Sequence, residues 1–149
     1  MNNSLLLCTA FVEDESGFES IHLGDKIIWG KWVTGYYVCL NSDEHRIYTG
    51  FAEVDCGDYY PDAYTVIPDT VSRFTGLFDI NNNPVFQSDI VNISFAELSF
   101  TGKVDFQNGS FGVSVDVESG KNFYSFYNFK EARIERHGHS FAKTYFKGF

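Results

Sequence analysis

Cationic side chains are scarce in this chain. Eleven Lys and Arg stand against 20 Asp and Glu, a formal charge of −9 at pH 7. Blanket binding to nucleic acid needs a basic face that meets phosphates and releases counterions, so the balance argues against that class of function. Cysteine is also sparse: Cys8, Cys39 and Cys56 are odd in number, widely spaced and without a CxxC pair. Neither a disulfide framework nor a zinc site is indicated. No apolar run approaches the roughly 18 residues of a membrane span. The start, Met1 to Leu7, lacks the basic opening and the length of a signal peptide. The expectation is a cytoplasmic protein with no membrane attachment. The chain also lacks GxSxG, a phosphate-cradling Gly-rich loop and a dinucleotide fingerprint.

Aromatic residues are abundant. Sixteen Phe, nine Tyr and two Trp give 18% aromatic content, within 44% hydrophobic overall. A chain of 149 residues with that content can bury a core as one domain, or as two small parts sharing one. Dense aromatics with few helix formers indicate a β-rich protein. The charge is unevenly placed. Residues 1–72 hold twelve acids and three bases, whereas residues 73–149 hold eight of each. Two regions follow: an acidic N-terminal β region, 1–72, and a C-terminal β region, 73–149, expected to pack as one unit.

The apolar patterning supports strands throughout. Leu5 to Val12 is apolar at both parities, as in a strand buried on both faces. Phe18 to Ile28 is ambiguous around a Gly24-Asp25 turn, Gly30 to Leu40 is a strand or bent hairpin, and Ile47 to Phe51 is another strand. Glu53 to Thr70 shows little regular pattern and reads as an acidic, Tyr-rich loop. Val91, Ile93 and Phe95 alternate with polar residues. Val104 to Val115 is the best-defined hairpin, with Asn108-Gly109 as a two-residue type I′ turn. That turn sets Phe106 opposite Phe111 and Val104 opposite Val113. Glu118 to Lys121 is a further turn, Phe123 to Phe129 a strand or strand-to-turn passage, and Ala132 to Phe141 a closing strand. The strand order of residues 73–149 looks like a small SH3-like barrel.

The second region opens with the joining stretch Arg73 to Val91, RFTGLFDINNNPVFQSDIV. Asp79 to Pro84 is a dense turn signal, since Asn and Asp bond their own backbone and Pro fixes φ. Thr75-Gly76-Leu77, Asp79, Asn81, Val85-Phe86 and Asp89-Ile90-Val91 occur here in the order of the YopX family pattern. Gly30, Trp32, Val33, Gly35 and Tyr36, then Val66, Pro68, Thr70 and Val71, extend the match upstream. The chain therefore resembles the YopX family, small proteins found mainly in phages and prophages, over about residues 30–138. Asn82 and Ser88 replace two glycines of the pattern. Asn enters the left-handed region readily, but Ser does so less easily, so a reshaped turn is expected at Ser88. The resemblance implies phage origin and a fold rather than an activity.

Few constellations suggest chemistry. His137 and His139 would share a face of a regular strand, but no third or fourth ligand stands near them in sequence, so no metal is expected. Asp55, Asp58 and Asp62 do not have the spacing of a calcium loop. Cys39 reads as core, Cys56 as blunted by its acidic surroundings, and Asp89 as a turn cap. No catalytic residue, cofactor or enzyme activity is expected. Tyr59, Tyr60 and Tyr64 are the candidate partner-binding residues, as loop tyrosines in an acidic setting. The reading is a phage- or prophage-type accessory protein acting through contacts with itself, as a homo-oligomer, or with a host or phage protein. The alternative is a nucleic-acid-binding module. It would use the C-terminal barrel, where Lys130, Arg133, Arg136, Lys143 and Lys147 interleave with Tyr145, Phe146 and Phe149.

Overall fold

Among the described residues of a computed structural model, the chain forms twelve strands and two single-turn 3-10 segments. The structure describes residues 6–41, 43–54, 58–128 and 132–141, without the side chains of residues 6, 51–54 and 58–61. The protein is mainly β, as its composition implied, and all ladders are antiparallel. It divides into two compact units, Met1–Arg73 and Phe74–Phe149.

The first unit contains β1 (Leu6–Glu13), β2 (Glu19–Leu23), β3 (Lys26–Asn41), β4 (Glu44–Val54) and β5 (Asp58–Thr65). Their order is β5-β4-β3-β1, with β2 also on β3, and the first residues of β6 (Ser72–Phe78) beside β1. Cys8, Thr9, Ala10 and Phe11 are all buried, which is why β1 is apolar at both parities. Cys8, Ala10, Ile47 and Val66 form a core against which Val12, Val33, Tyr37, Tyr64 and Val71 pack. The ambiguous stretch before Gly30 is a hairpin turning at Gly24. Gly30 is paired with Glu13 on one side and Glu19 on the other, so residues 14–18 cross over β3. Gly17 lies against Gly30 at the crossing: a Cβ on Gly17 would stand 2.4 Å from the Gly30 carbonyl oxygen. A Cβ on Gly30 would meet the Val12 carbonyl oxygen at 1.8 Å. The 3-10 turn Pro68–Thr70 closes the unit, and buried Thr70 accepts the Phe11 N–H and donates to the Ile67 carbonyl.

One expectation fails here. Residues 58–65 are not loop but strand β5, paired with β4 along its length from Arg46↔Thr65 to Val54↔Asp58. The period was hidden by Pro61 and by a register shift between Tyr48 and Gly50. Pro61 fits because β5 ends the strand order, where a missing N–H costs no ladder bond.

The second unit holds the end of β6, then β7 (Pro84–Phe86), β8 (Asp89–Phe95), β9 (Leu98–Gln107), β10 (Ser110–Val117), β11 (Gly120–Ser125) and β12 (Arg133–His139). Five of these form a sheet ordered β11-β10-β9-β8-β12. No ladder joins β11 to β12 among the described residues, so barrel closure is not part of the observed architecture. The β9–β10 hairpin has the anticipated register, Phe106↔Phe111 and Val104↔Val113, with φ of 52° at Asn108 and 81° at Gly109. Both central residues take the positive φ that a type I′ turn requires. Val85, Val91, Ile93, Val104, Val113 and Phe126 are the buried core. The 3-10 turn Phe126–Asn128 precedes the return of β12 to β8.

Candidate functional site

The site begins with Asp79, just after β6. Its Oδ1 accepts the N–H groups of Asn81 (2.9 Å) and Asn83 (2.8 Å), which folds Asp79 to Asn83 into a tight turn. The Asp79 N–H donates to the Asn83 carbonyl at 2.8 Å, and Asn82 takes the left-handed φ of 65°. Oδ2 reaches away from the turn and accepts the backbone N–H of Arg136 at 2.9 Å. Burial pushes the Asp79 carboxyl up, but the combined hydrogen bonds from Arg136, Asn83 and Asn81 hold it below the ordinary aspartate range. The Ile80 N–H donates to the Ile134 carbonyl at 2.8 Å, so two backbone donors tie this turn and β12 together.

A second aspartate organises the opposite end of β12. Asp89 is fully buried, and its Oδ2 accepts the Phe86 N–H and the Arg136 Nε–H, each at 2.8 Å. The turn-capping role expected for Asp89 is present, joined by a buried ion pair that sequence reading missed. Ser88 sits between these groups at φ 73° with its N–H on the Val104 carbonyl. The turn is thus kept in its left-handed form rather than reshaped, and Ser carries the strain a glycine would avoid.

His139 completes the cluster. Its Nε2 lies 2.9 Å from Arg136 Nη2, and its Nδ1 lies 3.0 Å from Asp89 Oδ1. Arginine offers only donors, so Nε2 accepts and the ring proton is on Nδ1, facing Asp89. That last approach is at ion-pair distance but off the line of a hydrogen bond. The β8–β12 register decides this assembly. Arg136 pairs with Val91 but Gly138 pairs with Ile90, so His137 is an extra, bulged residue. The bulge shifts the parity and brings His139 opposite Asp89, on the same face as Arg136. It also separates the two histidines, because His137 is left outward, 3.3 Å from Glu135. A regular strand would have placed His137 and His139 together. No group of three or more potential metal ligands occurs among the described residues.

Beside this scaffold is an open, largely apolar hollow of about 380 Å³. Leu77, Phe78, Asp79 and Ile80 line one wall; Phe126, Ala132, Arg133 and Ile134 line the other. Phe78 is 56% exposed and Ile80 45%, high for side chains of that size. Ile80 belongs to the fixed turn of Asp79 to Asn83, whereas Phe78 ends β6 opposite Pro84 with its ring edge-on to Phe74.

The other candidates fall elsewhere. Tyr64 is opposite Ile47 on the β4–β5 ladder, packs against the first unit's core and has Lys31 Nζ 4.4 Å above its ring. It is therefore a core-covering residue of a strand rather than of a loop. Tyr59 and Tyr60 lie on β5, opposite Glu53 and Ala52, and their side chains lie outside the described part. Asp58 and Asp62 also lie on β5. Asp55, Cys56 and residues 142–149, with Lys143, Tyr145, Phe146, Lys147 and Phe149, lie outside the described residues, as do Phe129 and Lys130. Cys39, expected in the core, is exposed, with its thiol on the Asn41 carbonyl. On the β4 side Cys39 pairs with His45, just before a register shift between Cys39 and Asn41. Cys8 is the buried thiol, and burial pushes it up to about 11 despite the nearby Arg73 charge.

Fold and site together define a mainly antiparallel β protein whose second unit is assembled around two aspartates and a β12 bulge. Both aspartates belong to a shared sequence pattern. The chain belongs to the YopX family: the family model described as YopX protein matches residues 29–143. Comparison with curated proteins found no match, and neither did comparison with solved structures. No helix among the described residues is long and apolar enough to cross a membrane.

Proposed function

We propose that this chain is a non-enzymatic accessory protein of phage or prophage type that works in the cytoplasm through protein–protein contacts. The apolar hollow of the second unit, flanked by Phe78 and Ile80, is its contact surface. The observation that carries this reading is the exposure of Phe78, at the end of β6, and of Ile80, in the turn that Asp79 makes rigid. Large apolar side chains held in place around a concavity lose little conformational entropy on binding, which is the character of interface anchors. The titratable groups nearby support a structural role: Asp89, Arg136 and His139 engage one another. The order β12-β8-β9-β10-β11, with a 3-10 turn before the returning strand, supports an SH3-like arrangement of the second unit. Partners of the expected kind are a host or phage protein or a second copy of the chain.

The test is a pull-down of the tagged protein from host and from phage-infected cells, with and without nuclease, comparing wild type with Phe78→Ser/Ile80→Thr. Both positions are exposed, so the variant should keep the wild-type urea midpoint. Expected is a stoichiometric protein that survives nuclease and is lost from the variant. Recovery that depends on nucleic acid, or that the variant leaves intact, overturns the reading.

A further inference from the structure

A second surface, in the first unit, has a different chemistry. Where the chain crosses β3, Glu13, Glu15, Ile27, Ile28 and Trp29 line a hollow of about 220 Å³. Trp29 is 51% exposed and Ile27 53%. They are at i and i+2 on β3, so they project on one face. On the β1 side the ladder stops at Gly30, and beyond it only the Asp14 N–H reaches β3, bonding the Trp29 carbonyl at 2.9 Å. The edge of Lys26 to Ile28 is therefore without a strand on that side among the described ladders.

The charge around this apolar floor is mainly acidic, with Lys26 on the edge itself and Lys31 acting on Asp14. Glu13, Asp14, Glu15 and Glu19 stand within seven residues, and no ion pair involves any of them among the described residues. Asp14 is occupied locally, its Oδ1 accepting from the Ser16 N–H and hydroxyl, whereas Glu13 and Glu15 line the hollow. Lys31, the base nearest in sequence after Lys26, is drawn to the Tyr64 ring.

The geometry points to a docking site for an extended, arginine- or lysine-bearing segment of a partner protein. Its backbone would add to the free edge of Lys26 to Ile28. Its aliphatic stem would cover Ile27 and Trp29, where a guanidinium also stacks well on the indole, and its charge would fall between Glu13 and Glu15. This deepens the contact-protein reading by giving the first unit a partner chemistry of its own.

The full-length protein would be titrated with a capped hexapeptide alternating leucine and arginine, and with the same peptide carrying neutral citrulline for arginine. Indole emission reports binding, because Trp29 is exposed and the other tryptophan, Trp32, packs edge-on against Phe11. Expected is saturable binding of the arginine peptide, weakened about tenfold by citrulline and by Glu13→Gln/Glu15→Gln, since each screened ion pair contributes only a few-fold. Trp29→Ala should abolish heat of binding in calorimetry with an unchanged urea midpoint. Equal affinity for the citrulline peptide, or indifference to either variant, overturns the proposal. A concentration-dependent mass abolished by Trp29→Ala overturns it in favour of a second copy as occupant. None of these outcomes touches the Phe78 experiment, so the two readings fail separately.

Discussion

Replacing Arg136 with Met should cost about 3 kcal/mol of folding stability. Breaking a buried ion pair by removing one partner typically costs about 3–5 kcal/mol, because the remaining charge is buried without compensation. Asp89 is wholly buried, but Arg136 is 24% exposed and the carboxylate keeps its bond from the Phe86 N–H, so the lower end applies. With a urea m-value of about 2 kcal/mol/M, the midpoint falls by about 1.5 M. The decisive measurement is a double-mutant cycle with Asp89→Asn, read by urea unfolding at pH 7. The amide introduced by Asp89→Asn retains an acceptor for the Phe86 N–H, so the double variant removes both charges with the turn bond preserved. It should be more stable than the sum of the single losses by at least about 1 kcal/mol. A midpoint change below about 0.3 M for Arg136→Met, or losses additive within about 0.5 kcal/mol, would refute the account of Asp89 and Arg136 as a buried pair organising β12.

Three further outcomes test other parts of the structure. Asp79→Asn puts an amide N–H₂ or a poorer acceptor against the Arg136, Asn81 or Asn83 N–H groups and should cost about 1–3 kcal/mol at pH 7. Because the folded Asp79 carboxyl titrates below its unfolded value of about 3.9, its stabilisation is full above that pH and lost as pH falls through the folded value. The gap between wild type and Asp79→Asn should accordingly narrow below about pH 4 in urea titrations, and a gap that widens there contradicts the assignment. Gly30→Ala should leave little soluble folded protein, since its Cβ would overlap the Val12 carbonyl and overpacking of this kind costs about 3 kcal/mol or more; a wild-type melting curve would show the crossing to be wrongly placed. Ser88→Gly should gain about 1 kcal/mol, or about 2–4 °C in melting temperature, by relieving a left-handed φ of 73°; a loss would mean that Ser88 contributes a bond worth more than the strain.

Local chemistry was readable without coordinates. The Asn108-Gly109 hairpin, its register, the Gly24 turn, the doubly buried β1 and the Asp79 turn each depend on residues a few positions apart, whose φ preferences and alternation are printed in the sequence. The YopX pattern was readable for the same reason, as short runs of turn residues and apolar pairs. The second-unit hollow was not. Nothing in Phe78 or Ile80 distinguishes an exposed aromatic from a core one until β12 supplies the opposite wall.

Tertiary pairing decided the remainder. Residues 58–65 became a strand because β4 was available as a partner, although their own period was broken by Pro61 and the register shift. Cys39 emerged at the surface beside a register shift of the β3–β4 ladder, with its thiol on the Asn41 carbonyl, which residue type alone does not reveal. The Asp89–Arg136–His139 cluster joins residues about fifty positions apart through a one-residue bulge at His137. A bulge reverses which side chains share a face, and it is set by the competition between two strands rather than by either one alone. By itself the sequence determined the mainly β character, the turns and the family; the charged cluster and the exposed apolar surfaces exist only where distant strands meet.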